Sequence, residues 1–141
     1  MKPVTATPVP IVKRLMFLPT LFGPKLMMRA EALLFTYAGR QAPDSYDGGV
    51  WEYYNLSNGG GYAAPLSPTK LNVNVDGNGF DGDMSSDAAG IVFSLFVINQ
   101  LCSECQGKDE KLMQTLADHY HELRDYASQH AEAGSIFRAI D

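Results

Sequence analysis

Cysteine is almost missing from this chain: of 141 residues only Cys102 and Cys105 carry thiols. Two cysteines so close together cannot supply the disulfide framework of a small secreted domain. Strong charge of either sign is missing too. The 16 acidic residues and 11 Lys and Arg leave a formal net charge of −5. Sequence-independent DNA binding needs a basic face that releases counterions, so no strong nucleic-acid binding is expected. A protein imitating duplex DNA would need about one negative charge per 1.7 Å, far denser than this. Long uninterrupted apolar stretches are also lacking. Leu15 to Phe22 is broken at Pro19, and Ala88 to Cys102, apolar nearly all round, covers only about four helical turns. Neither a signal peptide nor a membrane span is expected, and the chain reads as cytoplasmic.

What is present is enough for a core. The hydrophobic fraction is 45%, and a chain of this length buries about two-thirds of the surface exposed when unfolded. Prolines 8 and 10 mark residues 1–14 as an extended arm, leaving 15–141 as a single domain. Leu26, Met27, Ala30, Leu33, Leu34 and Tyr37 recur with a helical period between Pro24 and Gly39. Val50 to Leu56 is aromatic and strand-like, and Ser57 to Gly61 is a turn before Tyr62. Leu71, Val73 and Val75 alternate with Asn72 and Asn74, and Phe80 to Met84 forms a short further strand. Ser85 or Ser86 caps the apolar helix that follows, with Asp87 at its positive end. Lys111 to Ser128 is amphipathic, and Ala133 to Ile140 adds a last short helix. The expected class is α+β: an antiparallel meander of three to four strands packed against helices, one of them buried and central.

Chemistry concentrates in the loop after Val75. Gly77-Asn78-Gly79-Phe80-Asp81-Gly82 has the glycine spacing of a dinucleotide loop, but Asp76, Asp81 and Asp83 would stand where phosphates belong. Asp76 to Asp87 has the length of a calcium loop. Phe80 occupies its fifth position, Asp81 replaces the usual glycine, and a strand rather than a helix precedes it. A hairpin turn explains the same residues, with Gly77 and Gly79 supplying positive φ. Cys102 and Cys105 lie at a helix C-terminus, where the dipole opposes a thiolate. His119 and His121, two apart on a helix, point to different faces and cannot readily share zinc. No catalytic, cofactor or metal residues are therefore assigned. A small enzyme or metal-dependent protein using the Asp76–Asp87 loop remains the alternative reading.

Trp51-Glu52-Tyr53-Tyr54 admits two readings. A sheet open on one face would expose about half of these aromatics beside the glycine-rich turn, as a protein-binding surface. Helices covering both faces would make them structural.

The wording of the chain carries more than its chemistry. Phe17-Leu18-Pro19, Gly48-Gly49-Val50-Trp51-Glu52-Tyr53-Tyr54, Leu56-Ser57-Asn58-Gly59-Gly60, Val75-Asp76-Gly77-Asn78-Gly79-Phe80, Met84-Ser85-Ser86-Asp87-Ala88-Ala89-Gly90-Ile91 and the ending Arg138-Ala139-Ile140-Asp141 resemble the ArdB/KlcA antirestriction family, in the family's order. The resemblance implies a compact α/β domain with no catalytic centre or cofactor, borne on plasmids and genomic islands. It implies protection of incoming unmodified DNA from type I restriction-modification, through the restriction machinery or a host factor controlling it. The family supplies no settled functional residues. Trp51, Glu52, Tyr54, Asp76, Asn78, Asp87, Arg138 and Asp141 are therefore the partner-binding candidates, chosen from its motifs and from residues without an obvious packing role.

Overall fold

The computed structural model describes residues 2–141; Met1, at the start of the expected arm, lies outside the described residues. The arm enters the fold as a short strand, β1 (Ala6–Pro8), and one 3-10 turn leads into α1 (Arg14–Phe22). Pro19 interrupts the apolar run of the sequence, yet the helix runs through it. A proline here removes one intrahelical N–H, and burial of Phe17, Leu18, Leu21 and Phe22 along one face offsets that loss. Each such side chain contributes about 1.5–3 kcal/mol when fully buried. Helix α2 (Met27–Gln41) follows, buries Ala30, Leu33, Leu34 and Ala38, and continues two residues beyond Gly39.

Four strands come next: β2 (Trp51–Leu56), β3 (Gly61–Pro65), β4 (Leu71–Val75) and β5 (Phe80–Met84). They do not form one continuous meander. Strands β1, β2 and β3 make a three-stranded antiparallel sheet, with Thr7 opposite Asn55 and Tyr53 opposite Ala63. Strands β4 and β5 form a separate hairpin, with Val73 opposite Gly82. The division has a local cause at the outer edge of β3, which is taken by a helix. On α3 (Ser86–Cys105), the Ser94 hydroxyl donates to the Ala63 carbonyl and accepts from the Ala63 N–H, both at 3.1 Å. An edge whose polar groups are satisfied this way has no ladder to offer β4.

Helix α3 is the centre of the molecule. Ser85 caps it by accepting from the Ala88 N–H at 3.1 Å, and its side chains are buried on nearly every face. At 20 residues it is longer than the sequence reading had it, and long and apolar enough to cross a membrane. Its surroundings show a core helix instead: β3, α2, α4 (Glu110–Gln129) and α5 (Ala133–Ile140) all pack against it. Asp109 caps α4 by accepting from the Leu112 N–H, and α4 sends Leu116, Leu123 and Ala127 inward. The class is α+β, with a buried central helix, as the sequence implied.

In the β4–β5 turn only Gly79 has positive φ, +75°; Gly77 does not need its glycine for that reason. The 79 N–H closes the turn on the Val75 carbonyl.

Candidate functional site

The candidate residues fall into three places. On β2, Trp51 is 5% exposed, wedged against Phe35, Tyr46 and Phe93, with its indole N–H donating to the Tyr46 hydroxyl at 3.0 Å. That burial corrects the expectation of Trp51 as an exposed anchor: helices cover its face of the sheet, and its one polar atom already has a partner. Glu52 accepts from Arg14 at 3.0 Å, and the Arg14 guanidinium also donates to the Trp51 carbonyl while stacking over Tyr53. Phe17 also stacks on Tyr53, with ring centroids 4.6 Å apart. Tyr54 stacks on Tyr62, its neighbour across the β2–β3 ladder, with ring centroids 4.7 Å apart, and is half-buried. The Trp51–Tyr54 segment is mainly structural, leaving partial edges of Glu52 and Tyr54 at the surface.

The second place is Asp87, in the first turn of α3. It accepts from the Tyr62 hydroxyl at 2.7 Å and from His130 Nε2 at 2.8 Å. The Glu132 backbone N–H donates to His130 Nδ1 at 3.0 Å, so the neutral ring carries its proton on Nε2. The Ser85 backbone N–H donates to Glu132 Oε1 at 2.8 Å, and the Ser85 hydroxyl donates to Glu132 Oε2. Tyr126 stacks on Tyr62 and meets His130 edge-on. Strand β3, the start of α3 and the α4–α5 turn are thus tied through one carboxylate.

Burial works against the Asp87 charge, but hydrogen bonds from His130 and Tyr62 together outweigh it, and its pKa lies below the ordinary value. The hydrogen bond to Asp87 raises the pKa of His130, against burial. The Glu132 N–H restrains that protonation, because it needs a lone pair at Nδ1. Burial first, then the Asp87 hydrogen bond, push the Tyr62 phenol far up, so it stays a donor. The cluster has the residue types of an acid–base site, but both ring nitrogens of His130 are occupied within the protein. Its geometry is that of a clamp.

The third place is the C-terminal corner. Asn78, at the tip of the β4–β5 hairpin, donates to the Ala139 carbonyl at 2.8 Å and accepts from the Phe80 N–H. With Glu132 held by Ser85 and Ala139 held by Asn78, α5 is fastened at both ends. Asp76, Arg138 and Asp141 border this corner and are exposed. The Arg138 guanidinium reaches only Ser135 Oγ, at 3.4 Å, and makes no ion pair with Asp141 among the described residues.

The acidic loop is dispersed by the fold. Asn72 Nδ2 donates to both Asp81 and Asp83 at 3.0 Å on one face of the hairpin, while Asp87 serves Tyr62 and His130. Burial raises the pKa of both Cys102 and Cys105, which keeps them as thiols. His119 pairs with Glu122 at 2.7 Å. Sequence reasoning missed His130, Tyr62 and Glu132. Their partners stand 25 to 47 positions away, beyond any local pattern.

The fold and most of the chain match known proteins. The sequence profile of a family described as antirestriction protein matches residues 44–141, which include the Asp87 clamp and the C-terminal corner. The chain belongs to this antirestriction protein family. It is 52% identical over 141 residues to an antirestriction protein KlcA of Escherichia coli, covering 99% of this chain and 94% of the relative. A second E. coli KlcA is 51% identical over 140 residues, covering 99% and 96%. Among solved structures, one superimposes with a TM-score of 0.90 at 49% identity, covering 99% of this chain and 96% of the other. It comes from the KlcA and ArdB proteins, which show a novel fold and antirestriction activity against Type I DNA restriction systems in vivo but not in vitro.

Proposed function

We propose that this chain relieves type I restriction of incoming unmodified DNA inside bacterial cells, by contacting a protein rather than by catalysis or DNA mimicry. The observation that carries the reading is the whole-length likeness to a chain of the KlcA and ArdB proteins, active against Type I systems in vivo. Activity in vivo but not in vitro supports a component that purified reactions lack. That component is the restriction machinery in its cellular setting, or a host factor controlling it. The place of action is the cytoplasm. A net charge of −5 supports protein contact over imitation of DNA, and the occupied nitrogens of His130 support a clamp over a general base. The exposed corner of Asp76, Asn78, Arg138 and Asp141 is the partner surface in this reading, with Glu52, Tyr54 and Asp87 in supporting roles.

Transformation with unmodified plasmid tests it. Expression of the protein raises transformant numbers in a host with a type I system and leaves them unchanged in a host with a type II system. Equal transformation of the type I host with and without the protein overturns the proposal.

A further inference from the structure

A groove of about 470 Å³ lies at the opposite end of α3 from the Asp87 clamp, between the α1–α2 connection and the α3–α4 turn. Its floor is apolar: Leu26 and Leu112 are half-buried there, and Cys105 is buried. Gly23, with φ +82°, stands at the neighbouring rim, where even a Cβ would touch Leu112 at 3.8 Å. A side chain at position 23 would lie against Leu112.

The charges around this floor do not balance. The hydrogen bond from Arg29, helped by Gln100, holds the Glu104 carboxyl down to about 2, so that carboxylate is already satisfied. Asp109 is engaged as the α4 cap and has only a loose pairing with Lys25 at 3.9 Å. Lys108 and Lys111, both exposed, make no ion pair among the described residues. A protein of net charge −5 thus places three ammonium groups around an apolar floor and its neighbouring rim: Lys25 loosely paired with Asp109, Lys108 near the already bonded Glu104, and Lys111 at the rim.

We infer that this groove binds an acidic segment of another protein, with an apolar side chain seated on Leu26 and Leu112 and carboxylates reaching Lys25, Lys108 and Lys111. Charge complementarity selects acidic residues, because exposed ammonium groups steer oppositely charged partners and suppress like-charged ones. The floor selects a peptide over a free anion, since an inorganic ion gains nothing from apolar surface. The inference goes beyond the proposed antirestriction role and stands or falls without it.

The test is titration of the isotope-labelled protein with an end-blocked peptide of alternating glutamate and leucine, followed by backbone amide shifts. The glutamine counterpart of the peptide and inorganic phosphate serve as separate probes. Saturable shifts clustered at residues 23–29 and 104–115 are expected with the glutamate peptide, at least about tenfold weaker with the glutamine peptide. The Lys108→Glu/Lys111→Glu variant, both positions exposed, keeps its Tm and binds the glutamate peptide at least about tenfold more weakly. No saturable shifts, equal binding of the two peptides, undiminished binding by the variant, or phosphate binding as tightly as the peptide would each overturn the inference.

Discussion

Gly90 of α3 packs directly on Ala64 of β3: a Cβ at position 90 would lie 2.6 Å from the Ala63 carbonyl oxygen and closer still to Ala64. One helical turn on, Ser94 hydrogen-bonds both backbone groups of Ala63. The two residues bring a helix against a strand edge and satisfy that edge. Gly90→Ala is expected to lower stability by about 1–3 kcal/mol through overpacking, although alanine favours helices. Ser94→Ala is expected to cost about 1–3 kcal/mol, because it leaves buried backbone groups of Ala63 without their partner. Urea unfolding of both variants checks these values; a Gly90→Ala protein as stable as wild type would contradict the packing.

The Asp87–His130 clamp carries a pH signature. Asp87 has a lowered folded pKa, so its contribution is fully present above about pH 4 and is lost as pH falls through that folded value. His130 has a raised folded pKa, so its contribution is fully present below about pH 6.5 and is lost as pH rises through that folded value. The difference in Tm between wild type and Asp87→Asn is therefore expected to peak between about pH 4 and about pH 6.5. Its size there corresponds to about 1–2 kcal/mol, kept modest by the partial exposure of Asp87. A difference independent of pH from 3 to about 8 would show that the pair does not titrate as a unit.

The hairpin glycines separate cleanly. Gly79→Ala forces a side chain into positive φ and is expected to cost about 1 kcal/mol, whereas Gly77→Ala, with open space around it, leaves Tm nearly unchanged. Thermal melts of the two variants decide it, and equal losses would place the strain elsewhere in the turn.

Removal of Asp141 isolates the corner from the fold. Its side chain is exposed, and its backbone N–H makes one terminal hydrogen bond to the Phe137 carbonyl. The truncated protein is expected to keep its circular dichroism and Tm within a few degrees while protecting unmodified DNA less well. Full protection by a well-expressed truncation would remove Asp141 from the partner surface.

Elements with a strong local signature were legible in the sequence. The alternation of Leu71, Val73 and Val75, the Ser85 cap and the apolar Ala88–Cys102 run each became the expected element. The helix through Pro19 had no local announcement, because the cost of a proline is local while the burial of Phe17 and Phe22 that offsets it is tertiary. The same limit applies to Trp51, whose burial depends on Phe35 and Phe93 from two separate helices. Asp87 was read as a favourable charge at a helix start, which it is. Nothing local announced that its oxygens also hold Tyr62 and His130. The corner was legible only in part: Arg138 and Asp141 stood out as chain-end charges, but the Asn78 bond that brings the hairpin beside them spans 61 positions.

The most direct measurement is the plating efficiency of unmodified phage on a type I restricting strain, with and without this protein, normalised to the same phage carrying the host's own modification. The account predicts that expression raises plating of the unmodified phage toward the modified value and leaves a type II restricting strain as restrictive as before. Plating on the type I strain that stays the same at full expression of folded protein would contradict it.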